Sequence, residues 1–118
     1  MAMSAAVAAP ADAQYSRCPD GWFCAFTGQN GNGAMAQYKW GDGNLNDADG
    51  PTGMSNNIES VWNRRADLFK VYANPGCNAT PWIGINGGEQ RSWAPGAFWS
   101  NQIESLVYLH APPSGTIC

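Results

Sequence analysis

Apolar and aromatic residues along this chain gather in short runs, each closed by a turn rich in Asn, Gly or Pro, which is the pattern of strands entering hairpins. W-F-C-A-F begins at Trp22, A-M-A-Q-Y-K-W at Ala34, L-F-K-V-Y at Leu68 and P-W-I-G-I at Pro81. In I-E-S-V-W, from Ile58, an extended backbone puts Ile58, Ser60 and Trp62 on one face and Glu59 and Val61 on the other. I-E-S-L-V does the same, with Ile103, Ser105 and Val107 against Glu104 and Leu106. The pattern also repeats. S-N-N-I-E-S-V at Ser55 returns as S-N-Q-I-E-S-L at Ser100, a shift of 45 positions, and G-W-F-C-A-F-T-G-Q-N-G-N-G at Gly21 lies over D-L-F-K-V-Y-A-N-P-G-C-N-A at Asp67, a shift of 46. Two copies, about 18–64 and 67–110, therefore use about four strands each. A Greek-key β-sandwich is the economical way to bury both apolar faces in one core. The stretches Gly41 to Gly53 and Gly87 to Gly96 read as surface loops.

Composition agrees with an all-β fold. Charged residues are only 13% of the 118, against 14 Gly and 8 Pro, too few for helices with charged outer faces. The length suits one domain, residues 15–118, preceded by a tail over residues 1–14. That tail, MAMSAAVAAPADAQ, is Ala-rich, and its A-D-A resembles the site a signal peptidase leaves, so a secreted protein is expected. No other run is long and apolar enough to cross a bilayer. A net charge of -3 with no Lys/Arg run speaks against nucleic acid and anionic lipid as partners.

Four cysteines in a short exported chain point to disulfides. Cys18 and Cys24 enclose P-D-G-W-F, a reversal that brings them within bonding reach, and Cys77–Cys118 follows by elimination. Zinc is disfavoured, because paired C-x-x-C spacing is missing and His110 stands far off in sequence. The loop D-G-N-L-N-D-A-D-G has Asp47 where an EF-hand needs Gly and Gly53 where it needs Glu. His110 has no nucleophile motif to serve, and nothing singles out a pair among nine acids, so an enzyme is not expected. Asn78-Ala79-Thr80 reads as turn chemistry. Six tryptophans are many for a small sandwich: Trp22 and Trp62 suit the core, whereas Trp82, Trp93 and Trp99, in or beside loops, would form an aromatic face for polysaccharide or protein.

The aromatic followed seven positions later by Gly (Phe26 to Gly33), with Ile-x-Ser before a branched residue once per half, resembles the βγ-crystallin fold. C-P-D-G-W-F-C resembles the opening of a bacterial peptidase-inhibitor family with that fold, small secreted inhibitors of metalloproteinases. The resemblance implies a non-catalytic protein, monomeric when isolated, that docks a secreted protease or assembly partner. Its binding loop would be Pro19, Asp20, Gly21, Trp22 and Phe23. The second half departs from the pattern, with Ala79 where Gly is wanted, so its hairpin must turn elsewhere, through Pro75-Gly76. Domains of this fold also bind Ca²⁺ through the repeated motif; the corresponding ligands are Ser55, Asn57 and Glu59 with Ser100, Gln102 and Glu104, a degenerate match. On the competing reading, Ser60 and Ser105 tie the strand to the adjacent hairpin and the glutamates face solvent.

Overall fold

A computed structural model of the chain describes residues 13–46, 53–77 and 81–111. Eight strands run in chain order as β1 (Phe23–Phe26), β2 (Met35–Tyr38), β3 (Gly41–Asp42), β4 (Ser60–Asn63), β5 (Phe69–Tyr72), β6 (Trp82–Ile85), β7 (Gln90–Ser92) and β8 (Ser105–Tyr108). They form two four-stranded antiparallel sheets, β2-β1-β4-β7 and β3-β8-β5-β6. Each sheet thus holds three strands of one copy and the third strand of the other. Those exchanged strands lie inside the two stretches read above as loops, and the correction has a simple cause. Both are edge strands, two and three residues long, without the apolar alternation that marks a buried strand.

Alternation along β1 explains how one sheet serves two apolar layers. Phe23 and Ala25 point into the main core, while Cys24 and Phe26 point to the outer face. The main core is built around Phe23, Val61, Phe69, Val71, Ile85 and Leu106, all fully buried. Phe23 and Phe69, equivalent positions of the two copies, meet with ring centroids 4.3 Å apart. On the outer face a 3-10 turn at Ala13–Arg17 lays Tyr15 edge-on to Phe26 (5.5 Å) and Trp62 (6.1 Å). The Arg17 guanidinium donates to the Gly31 and Gly33 carbonyls at 2.6 and 2.9 Å and fixes that turn. Trp22 and Trp62 pack beside this smaller cluster, not in the main core.

The repeated Ser does what the competing reading expected. The Ser60 hydroxyl donates to the Gly28 carbonyl at 2.6 Å and accepts the Gly31 N–H at 2.9 Å. The Ser105 hydroxyl donates to the Asn74 carbonyl at 2.5 Å and accepts the Cys77 N–H at 3.1 Å. Each fully buried hydroxyl thereby pins the folded-over hairpin of its own copy. In the first copy that fold requires Gly31: at φ 76 a Cβ would lie 2.5 Å from the Tyr15 backbone nitrogen. The second copy turns through Gly76 (φ 87), within the expected Pro75-Gly76, and through Cys77 (φ 51).

Candidate functional site

The disulfide loop lies where β1 begins. Cys18 and Cys24 are bonded, with Cα atoms 5.8 Å apart. Cys77 is disulfide-bonded too, and Cys118, expected as its partner, lies outside the described residues. Within the loop Gly21 stands at φ 87, a conformation that suits Gly and closes the reversal after Pro19-Asp20. The Asp20 side chain is 88% exposed, whereas Trp22 is half-buried. Phe23 corrects the sequence expectation: it is fully buried against Phe69, so its ring belongs to the core and cannot reach a partner. The outward part of the loop is Pro19 to Trp22.

The loop is held from outside by the segment that follows β4. The Gly21 N–H donates to the Arg64 carbonyl (3.2 Å) and the Arg64 N–H to the Trp22 carbonyl (2.9 Å). The Arg64 guanidinium reaches the Cys18 carbonyl at 2.9 Å and the Asp20 carboxylate at 3.5 Å. Arg65 reaches the Gly21 carbonyl at 3.4 Å, and its guanidinium lies over the rings of Trp40 (4.8 Å) and Tyr108 (4.2 Å). Lys39 lies over Trp22 at 4.8 Å. Buried Asn63 organises this segment: its amide donates to the Asp67 and Ile85 carbonyls, both at 2.8 Å, and its side-chain oxygen accepts the Arg65 N–H at 2.9 Å. None of Asn63, Arg64, Arg65, Lys39 and Trp40 was singled out from sequence; the dipeptide Arg64-Arg65 beside a repeated strand was the signal available.

At the opposite end of β4 the two copies of the repeated motif bind each other. The Ser100 hydroxyl donates to Glu59 at 2.7 Å and the Ser55 hydroxyl to Glu104 at 3.1 Å. The main chain repeats the exchange, Asn56 N–H to the Ile103 carbonyl and Asn101 N–H to the Ile58 carbonyl, both 3.1 Å. The glutamates are therefore half-buried and bonded, not simply turned to solvent. Of the residues named for Ca²⁺, the fold brings together Ser55 with Glu104 and Ser100 with Glu59. Asn57 instead donates to the Gly53 carbonyl at 3.0 Å, and Gln102 is exposed. No cluster of three His, Cys, Asp or Glu side chains suited to a metal occurs among the described residues.

The expected three-ring aromatic face does not form. Trp93 is buried, its N–H donating to the Glu59 carbonyl just as Leu45 donates to Glu104, so it fills a core position equivalent to that leucine. Trp99 is half-buried against the core, and only Trp82, 43% exposed beneath Lys70, faces outward. His110 bonds Asp67 at 2.8 Å and holds its carboxyl below the usual range. Burial works against the ionised form of Glu89, but the Asn86 N–H and the Arg91 guanidinium outweigh it and keep that carboxyl low as well.

Residues 11–85 match the model of peptidase inhibitor family I36. The chain belongs to that family. Its membership and its fold mark it as non-enzymatic, with a protein, a peptidase, as the kind of partner. No curated protein sequence matches it. Among solved structures it is similar to one described under the evolution of the eye lens βγ-crystallin domain fold (TM-score 0.65, 13% identity, 76% of this chain and 87% of that one). It is also similar to a βγ-crystallin from Ciona intestinalis (0.59, 15%, 74% and 98%) and to the N-terminal domain of Protein S (0.56, 17%, 73% and 92%). At these identities the likeness is one of fold: a family I36 chain built as a βγ-crystallin sandwich. No helix among its described residues is long and apolar enough to cross a membrane.

Proposed function

We propose that this chain is an exported monomer that inhibits secreted peptidases, metallopeptidases among them, through the outward edge of its disulfide loop, Pro19 to Trp22. The observation that supports this most is the double restraint on that edge: a covalent closure between Cys18 and Cys24, and main-chain and guanidinium hydrogen bonds from Arg64 and Arg65. A loop already held in one shape loses little freedom on entering a cleft, so more of its contact energy appears as affinity. Asp20, extended into solvent and engaged by Arg64 only at 3.5 Å, is free to approach an active-site metal, with Trp22 beside it as an apolar contact. Disulfide bonding and family membership agree with an extracellular site of action. The test is a panel of secreted metallo- and serine peptidases assayed with micromolar protein. At least one is expected to be inhibited, and Asp20→Ala to weaken inhibition of a metallopeptidase more than of a serine peptidase. A panel left wholly active would overturn the reading.

A second reading, Ca²⁺ as a structural ligand, draws on the meeting of Glu59 with Ser100 and of Glu104 with Ser55, where a carboxylate and a hydroxyl from opposite copies face each other. Carbonyls nearby would have to complete the six to eight oxygen ligands the ion takes. Binding would raise the melting temperature in millimolar Ca²⁺ and chelator would reverse it; an indifferent melting curve would remove the ion from the account.

A further inference from the structure

We propose that the inhibitory surface does not end at the disulfide loop but continues over a strip made of Trp22, Lys39, Trp40 and Arg65, and that this strip selects peptidases whose clefts are rimmed by carboxylates. The inference rests on the inhibitory reading above and extends it to the partner's chemistry.

Contacts already described make the strip continuous. Lys39 covers one face of Trp22, its chain neighbour Trp40 lies beneath Arg65, and Arg65 reaches back to the Gly21 carbonyl of the loop. Trp40 is 40% exposed, and its contact with the Tyr108 ring (6.0 Å) and the Arg65 guanidinium lying over both rings hold it in place. Rigid, partly exposed aromatics beside cations are the side chains that most often anchor a protein partner.

Charge then decides the partner. Neither Lys39 nor Arg65 forms an ion pair among the described residues; their charges are met by ring faces. The buried Arg65 Nε has no acceptor there. Of the carboxylates near the strip, Asp20 is engaged by Arg64, Asp42 faces the Tyr38 hydroxyl, and beyond Tyr108 Asp67 is taken up by His110. In a chain of net charge -3, Lys39 and Arg65 thus leave positive charge beside the proposed contact edge. A surface of that kind favours carboxylates on its partner and speeds their encounter at low salt.

The experiment measures inhibition constants and association rates against a peptidase that the wild-type chain inhibits. Trp40→Ala should raise the inhibition constant about tenfold or more, and Trp40→Phe should keep most of the affinity. Lys39→Glu should slow association several-fold, with the difference fading toward ~1 M salt, where screening acts within about 3 Å. Phe98→Ala is the control. It removes a ring 58% exposed on the turn after β7, whose Ser92 pairs with Ser60 at the end of β4 away from Arg64, and it should change nothing. Circular dichroism establishes that each variant is folded; Lys39→Glu, at an exposed position, keeps the test open if Trp40→Ala is not. Suppose Trp40→Ala and Lys39→Glu inhibit within twofold of wild type while the Cys18→Ser/Cys24→Ser variant loses inhibition. The loop then acts alone and the strip is wrong, but the inhibitory reading stands. A wild-type chain that inhibits nothing sinks both.

Discussion

The two ends of β4 invite comparison. At Ser60 the copies mirror each other: the same hydroxyl pins each hairpin, and Glu59–Ser100 is answered by Glu104–Ser55. At Asn63 the mirror fails. The first copy is entered through a disulfide loop clamped by Arg64 and Arg65, and the second through the short Asp67-Leu68 approach to β5. Symmetry is kept where it holds the two sheets together, and it is lost where a partner would dock.

The largest effect that tests this division is in the shared core. Phe69→Ala and Phe23→Ala should each cost about 3–5 kcal/mol in denaturant unfolding, and the double variant less than their sum, because the rings touch. Strict additivity would mean the pair does not couple the halves. Next come Ser60→Ala and Ser105→Ala, each leaving a main-chain donor and acceptor unpaired, at about 1–3 kcal/mol apiece. Near-equal losses would sharpen the mirror at this end; a loss confined to one copy would break it. Removing the Cys18–Cys24 bond should lower stability by roughly 2 kcal/mol, the value for a short closed loop, and abolish inhibition. The corresponding test at the mirrored end, Glu59→Gln, should leave inhibition intact. The smallest effect is at Asp67. Its carboxyl should ionise below the ordinary 3.8, and His110→Ala should move it up in an NMR titration. Because its folded pKa is lowered, its contribution to stability is present above the ordinary value and is lost as pH falls through the lowered one.

Much of this was legible in the sequence because duplication doubles every signal. The strands that face the core, the hairpin serines and the Cys18–Cys24 closure all leave local marks: alternation, a repeated hydroxyl, a turn between two cysteines. The exchange of β3 and β7 left none, since edge strands of two or three residues need no apolar pattern. Trp93 looked like a loop residue because its neighbours are turn formers, yet its place was set by a partner strand it could not announce, in the position Leu45 fills in the other copy. Arg65 over Trp40 joins residues 25 positions apart, and no periodicity connects them. Phe23 departs from the loop that the resemblance implies because successive residues entering a strand point to opposite sides, and its side is the core.

The strand exchange has one more consequence, for how such a molecule withstands cleavage of its own backbone. β4 is hydrogen-bonded to β7 and β8 to β3, so each half grips an arm of the other, and both close over the same interior. A single cut in the 64–68 connection would yield two fragments that remain interlocked. To dismantle the sandwich, an attacker would have to sever it in several places before the pieces could drift apart.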